Sequence, residues 1–315
     1  MLNSKKQTKA PNQSIKGRIF DIESYAIHDG PGIRTTVFMK GCPLRCWWCH
    51  NPEGIDFSKN LMYFDYKCIR CKTCMKACPT NAISFNGEEH IINRTYCSRC
   101  GICAERCPTG ALRLVGYDIT VYELVREIEK DVLLYDRSGG GVTFSGGEPL
   151  FQPLFLKEVL KECKNRGIHV ALDTTGYAPP EIFRSFIDIV DLFLYDIKLP
   201  DDKEHIKYTG VSNEPIKKNL MTIVERGKGN AVILRFPVIP GITDTEKNLN
   251  ELLVFLSELK GIDEIDILPF HDVNEKYERL GIEYKMKGFR APSKEKLIYI
   301  KEKLEGAGFF VKIWG

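Results

Sequence analysis

The chain has 315 residues, 43% of them hydrophobic, which is enough for one large domain or two ordinary ones with a full apolar core. A formal net charge of +3 is too small to point to a nucleic-acid partner, and no apolar run approaches the roughly 18 residues that cross a bilayer. Twelve cysteines, with no apolar signal-peptide stretch in Met1–Gln7, argue for a cytoplasmic protein whose thiols bind metal rather than pair as disulfides.

Residues 1–16 read as a polar tail. The first predicted strand, Thr35–Met39, leads into Cys42, Cys46 and Cys49, spaced Cys-x3-Cys-x2-Cys. A cubane iron–sulfur cluster normally takes four thiolates, so three in one loop leave an iron open for a substrate or cofactor. Spacing alone also leaves open a zinc site completed by His50. Next come two copies of one pattern, Cys68-x2-Cys71-x2-Cys74-x3-Cys78-Pro79 and Cys97-x2-Cys100-x2-Cys103-x3-Cys107-Pro108. This is the bacterial two-cluster ferredoxin signature, in which the fourth cysteine of each run serves the other cluster. It predicts one cluster on Cys68, Cys71, Cys74 and Cys107 and a second on Cys97, Cys100, Cys103 and Cys78. A zinc ribbon would not require two matched runs. Cys163, alone in a helical pattern, reads as an ordinary thiol.

Outside residues 55–115, strands alternate with helices. Further strands are predicted at Val142–Phe144, His169–Leu172, Leu192–Ile197, Val232–Phe236 and Ile265–Leu268. Helices are predicted at Tyr122–Leu134 behind a Thr120/Glu123 capping box, from Pro179-Pro180, and at Leu154–Asn165, Ile216–Glu225, Lys247–Leu259 and Lys294–Leu304. Repeated β-then-α units imply a parallel sheet, either open or curled into part of a barrel. Each predicted strand end carries reactive or permissive residues: the three cysteines, Gly146-Gly147-Glu148, Asp173, Asp196 and Lys198, Arg235, and His271. Taken singly, these are a tight turn, a surface ion pair and structural side chains. Together they occupy the rim where parallel barrels build active sites.

The run His28-Asp29-Gly30-Pro31-Gly32-Ile33-Arg34, continuing to Cys42, Cys46 and Cys49, resembles the radical S-adenosylmethionine (SAM) superfamily, and within it the activating enzymes of glycyl radical enzymes. The likeness spans nearly the whole chain from Gly17, and the double cysteine run matches the longer members. The segment His271–Tyr277 is shorter than its counterpart in the family. The resemblance implies an α/β fold, a partial (β/α)6 TIM-like barrel over residues 17–54 and 116–315, with a ferredoxin-like domain carrying two [4Fe–4S] clusters inserted at residues 55–115. It implies that Cys42, Cys46 and Cys49 hold a third cluster, whose open iron chelates SAM. Trp48 would lie against the adenine, and Gly146 and Gly147 would let backbone approach the methionine end. Glu148 would accept from the SAM amino group. Asp173, Asp196, Lys198, Arg235 and His271 would surround SAM and an associated monovalent cation.

The expected function is that of an anaerobic oxidoreductase. It cleaves SAM reductively and uses the 5′-deoxyadenosyl radical to take a hydrogen atom from a glycine Cα of a partner glycyl radical enzyme, with the hard chemistry carried by the cofactor. Flavodoxin or ferredoxin is the expected electron donor and a monomer the expected state. Two alternatives stand beside it: a radical SAM enzyme acting on a small molecule or peptide, and a ferredoxin-like electron carrier. The Gly146-Gly147-Glu148 loop and the three-cysteine loop argue against the second.

Overall fold

A computed structural model describes residues 14–314. Its strands are Lys16–Ala26 (β1), Arg34–Met39 (β2), Asn60–Tyr63 (β3), Ile83–Asn86 (β4), Glu89–Ile92 (β5), Leu112–Val115 (β6) and Tyr117–Thr120 (β7). They continue with Gly141–Gly146 (β8), Val170–Thr174 (β9), Leu192–Asp196 (β10), Val232–Val238 (β11), Glu264–Pro269 (β12) and Phe310–Ile313 (β13). Nine of them form one sheet in the order β13-β12-β11-β10-β9-β8-β2-β1-β7. Every neighbouring pair from β13 to β2 is parallel, whereas β1 runs antiparallel to both β2 and β7.

The six predicted strands are β2, β8, β9, β10, β11 and β12, each within a few residues of its expected bounds. Sequence reading missed β1, β7 and β13. In β1 only Gly17, Ile19 and Ala26 are buried, so it lacks the apolar run that marks a central strand. Of the segment read as a polar tail, residues 1–13 lie outside the described residues. Ile15 packs against the core and Lys16 pairs with Thr120 of β7.

One face of the sheet carries the main core. Val37, Phe144, Leu172, Phe193, Leu234 and Ile267 meet Leu156, Phe183, Leu220, Leu252 and Ile300 from the covering helices in one contiguous cluster. Side chains alternate along a strand, so the intervening residues point to the other face, and there Arg34 fills the space beside β8. Its guanidinium donates to Thr143 Oγ1 (2.6 Å), the Val142 carbonyl (2.7 Å) and the Pro31 carbonyl (3.1 Å). Burial lowers its pKa to about 10.

The capping box forms as expected, with Glu123 N donating to Thr120 Oγ1 at 3.2 Å and Thr120 N to Glu123 Oε2 at 2.8 Å. The helix it starts does not run to Leu134 but divides into Val121–Glu129 and Val132–Ser138. At the break, buried Asp131 accepts a 2.7 Å bond from Thr35 Oγ1 on β2.

The segment between β2 and β7 holds two small antiparallel pairs, β3 with β6 and β4 with β5. Leu61, Cys74, Ile83, Cys103 and Leu112 form its own core, while Met62, Phe64 and Val115 pack on Leu280 of the helix Asn274–Leu280. Among the described residues no helix is long and apolar enough to cross a membrane.

The helix Asp202–Thr209 buries His205, whose ring Nδ1 lies 2.7 Å from the Val211 carbonyl, and burial lowers its pKa to about 4. The unfolded chain then binds the extra proton first as pH falls, so the contribution of His205 is full above its usual pKa and shrinks below it. Between about pH 7 and pH 5 the protein should lose roughly 2 kcal/mol of unfolding free energy from this group. Denaturant unfolding at the two pH values, compared with His205→Gln, checks this contribution: the loss should be smaller by about that amount in the variant.

Candidate active site

The three-cysteine loop is pinned from several sides. Gly41 N donates to the Gly54 carbonyl (2.8 Å) and Cys42 N to the Ile55 carbonyl (3.0 Å), so the loop closes on the short helix Pro52–Ile55. Arg45 N and Trp47 N donate to the carbonyls of Thr209 (2.7 Å) and Tyr208 (3.1 Å) at the end of the His205 helix. From the other side Tyr277 Oη donates to the Cys49 carbonyl (3.0 Å) and Lys276 Nζ to the His50 carbonyl (2.9 Å). Lys40, fully buried, donates to Asn60 Oδ1 at 2.7 Å and to the Glu53 carbonyl, and burial lowers its pKa to about 8. Trp48 is 5% exposed in an apolar cluster with Leu199, Ile239, Phe270, Tyr277 and Met286.

Burial pushes the thiols of Cys46 and Cys49 up to about 11 and about 12, and Cys42 well above the ordinary thiol range. As free thiols they are therefore protonated, and binding a metal would release their protons.

The loop forms one wall of a cavity of about 420 Å³. Cys42, Cys46, Cys49 and Trp48 line it, as do Gly146, Gly147, Asp173, Asp196, Lys198, Arg235 and His271. Eleven of the twelve predicted rim residues thus meet around one space. Asp173 Oδ2 accepts from Ser145 Oγ at 2.6 Å and pairs with Arg235 at 3.2 Å. Arg235 also donates to the His28 carbonyl at 2.8 Å and faces Asp29 at 3.8 Å. Lys198 pairs with Asp196 at 2.6 Å. Burial disfavours both cations, but the carboxylates around them outweigh it and hold them charged. Three carboxylates therefore face two cations, and this surplus of negative charge suits a ligand bearing ammonium and sulfonium charge.

Glu148 is the exception. It is fully buried, does not line the cavity, and spends both carboxylate oxygens inside the protein. Oε1 accepts from Thr174 Oγ1 (2.6 Å) and Leu150 N (3.1 Å), and Oε2 from Thr175 N (2.9 Å) and Thr175 Oγ1 (2.6 Å). These bonds tie the end of β8 to the end of β9. Burial nonetheless lifts its pKa.

The glycines before it answer to the protein as much as to a ligand. A Cβ at Gly147 would sit 2.4 Å from the Gly41 carbonyl oxygen and 2.7 Å from that of Gly54. Gly146 has φ +101°, and a Cβ there would lie 2.5 Å from Met39 N.

In the intervening segment, one small cavity is lined by Cys68, Cys71, Cys74 and Cys107, and another by Cys78, Cys97, Cys100 and Cys103. The two sets are grouped as the crossed ferredoxin pattern requires. Cys163 is buried in the main core, far from this role. Among the described residues no cysteine is disulfide-bonded and no three His, Cys, Asp or Glu side chains converge closely enough for a single ion. The thiolates of a cubane each reach a separate iron and do not converge in that way.

Sequence reasoning passed over Lys40, Ser145, Thr174, Thr175, Lys276 and Trp314. Trp314 lines the cavity and meets the His28 ring edge-on at 5.2 Å, and nothing local in the sequence marks it. The Glu148 partners Thr174-Thr175 follow Asp173 directly and were open to notice.

A three-thiol loop lining a cavity that also holds paired carboxylates and cations suits an iron–sulfur enzyme rather than an electron carrier. The 4Fe-4S dicluster domain matches residues 67–111, and the radical SAM superfamily matches residues 95–253. The latter match starts beyond the three-cysteine loop. A trans-4-hydroxy-L-proline dehydratase activating enzyme of Clostridioides difficile is 44% identical over 94% of this chain and 99% of its own. An indoleacetate decarboxylase activating enzyme of Tractidigestivibacter scatoligenes is 38% identical over 95% of this chain and 98% of its own. A solved domain of a pyruvate-formate lyase-activating enzyme from Bacteroides vulgatus is 34% identical, covering 56% of this chain and all of that one, with a TM-score of 0.47. The chain belongs to the radical SAM superfamily and, within it, to the activating enzymes of glycyl radical enzymes. It is an oxidoreductase that binds iron–sulfur clusters and SAM, cleaves SAM reductively, and generates a glycyl radical on a partner enzyme.

Replacing Gly147 by alanine should force the Gly41 and Gly54 backbones apart and cost about 2 kcal/mol. Iron content after reconstitution, together with thermal unfolding, checks it: the Gly147→Ala protein should lose iron chiefly from the three-cysteine loop.

Proposed function

We propose that Cys42, Cys46 and Cys49 hold a SAM-binding [4Fe–4S] cluster, and that Cys68, Cys71, Cys74 and Cys107 and Cys78, Cys97, Cys100 and Cys103 hold two more. The observation that carries this reading is the convergence of the three thiols with Asp173, Asp196, Lys198 and Arg235 on one cavity of about 420 Å³. When bound, the first cluster supplies the electron that cleaves SAM and the anchor for its amino and carboxylate groups.

The chain's own residues do the rest. The Lys198 ammonium lies 2.6 Å from Asp196, free to turn other protons toward a ligand carboxylate in the cavity. Asp173, steadied by Ser145 and Arg235, presents a fixed acceptor for ribose hydroxyls, an ammonium or a monovalent cation. Trp48 offers its ring beside the third cysteine for the adenine, and Gly146 and Gly147 leave backbone bare at the methionine end. His271, exposed at the rim, faces the adenosine side. Apolar walls from Leu44, Ile239 and Leu268 keep water from the radical.

We read the sheet as a partial (β/α)6 barrel over residues 17–54 and 116–315, extended by β1, β7 and β13, with residues 55–115 as the inserted ferredoxin-like domain. Flavodoxin or ferredoxin is the electron donor, and the enzyme works as a cytoplasmic monomer. The partner to try first is a trans-4-hydroxy-L-proline dehydratase, named in the 44% identical relative.

Replacing Cys46 by alanine should abolish 5′-deoxyadenosine formation while leaving about eight irons per chain on the other two sites. Retained SAM cleavage would refute the assignment. Anaerobic EPR of the reduced enzyme with SAM and the partner should show a stable glycyl doublet that requires SAM. Continued 5′-deoxyadenosine production without a doublet would favour another partner.

A further inference from the structure

The two cysteine runs are copies, and so are the strand pairs that follow them. In one, Ile83 pairs with Ile92 and Phe85 with His90; in the other, Leu112 pairs with Tyr63 and Leu114 with Leu61. Ile83 and Leu112 stand equally far beyond Cys78 and Cys107, so the repeat puts His90 where its copy has Leu61. His90 lines the cavity of Cys68, Cys71, Cys74 and Cys107, and Leu61 lines that of Cys78, Cys97, Cys100 and Cys103.

The His90 ring is held in place. It stacks on Tyr63 at 4.3 Å and 19°, meets Phe85 edge-on at 4.9 Å, and brings Nε2 to 3.4 Å from Cys74 Sγ. Some polar neighbours of the two sites are matched, whereas Tyr63 beside Cys68 and Arg94 facing Cys97 and Cys103 are not. Arg70 and Arg99 occupy equivalent places, each neutralised by a carboxylate, Asp65 at 2.6 Å and Asp56 at 2.7 Å. Thr80 and Thr109 stand 3.6 and 3.7 Å from Cys78 and Cys107. Lys72 replaces the copy's Gly101 but is exposed, so solvent screens it.

We infer that His90 is a positioning residue that donates its Nε2–H to the Cys74 thiolate and so raises the reduction potential of the cluster held by Cys68, Cys71, Cys74 and Cys107. This rests on the two-cluster reading proposed above. A ligating cysteine is a thiolate and only accepts, so the imidazole must be the donor. Reduction adds negative charge, and a donor to a ligand sulfur stabilises the reduced form. Leu61 offers the other site no such bond.

The test uses full-length protein in which Cys42, Cys46 and Cys49 are alanine, so that only the two inserted sites report. Iron analysis tests the reading itself: about eight irons per chain support it, and about four or fewer overturn it and the inference with it. An EPR-monitored redox titration at one fixed pH should then show two separate midpoints. His90→Leu should lower one midpoint by roughly tenfold in the reduction equilibrium, about 59 mV for one electron, and leave the other unmoved. His90→Gln, whose amide also donates, should restore most of the fall. Unchanged midpoints at full iron content would overturn the role of His90 while sparing the two-cluster reading. An equal fall in His90→Gln would overturn it too, since packing alone would then account for the shift. The reciprocal Leu61→His should raise the midpoint that His90→Leu leaves unmoved; no rise at full iron content would also count against the inference.

Discussion

Three stretches of bare backbone meet behind the active site, and the rest of the rim takes its position from that contact. Gly147 at the end of β8 lies against the carbonyls of Gly41 and Gly54, leaving no room for a Cβ. Gly147 N donates to the Met39 carbonyl at 2.8 Å and Glu148 N to the Gly41 carbonyl at 2.9 Å, so the start of the cysteine loop is bonded as though the sheet continued. Glu148 then passes the constraint to β9 through Thr174 and Thr175. The three-cysteine loop thereby acquires the rigidity of a strand.

On the opposite wall the constraint is electrostatic. Arg235 on β11 joins Asp173 on β9 to the His28-Asp29 hairpin, and Asp196 and Lys198 close the gap at β10. Buried pairs of this kind contribute little net stability, because desolvation offsets most of the attraction. Their value lies in orientation: each carboxylate is turned by a named partner toward the cavity. The enclosed space carries more negative than positive charge before any ligand arrives.

The segment with the paired cysteine runs is tied to the main sheet at both ends of the three-cysteine loop. Lys40 reaches Asn60 at the start of β3, and Asp56, just past the loop-closing helix, pairs with Arg99 between two cysteines. Arg94 donates to the Leu61 carbonyl and, at 3.3 Å, to that of Arg279 on the helix that also clamps Cys49 and His50. The same few residues thus anchor the three-cysteine loop and the segment with the paired cysteine runs, and a shift in one is felt by the other.

The six central strands, the capping box at Thr120 and the grouping of eleven cysteines were readable from sequence, because burial on both faces, local capping and ligand spacing leave short-range signatures. Strands β1, β7 and β13 were not, since each is made by pairing with a neighbour rather than by its own apolar pattern. Glu148 shows the limit within the site: its place after two glycines suggested a ligand contact, but only the fold shows that Thr174 and Thr175 already occupy it. Lys40, Tyr277 and Trp314 reach the site from remote or unmarked positions. The sequence by itself determined which residue types gather at the strand ends and which cysteines share a cavity. The tertiary structure decided which of those side chains face the cavity and which are spent holding it, because hydrogen bonds between distant segments have no counterpart in local spacing.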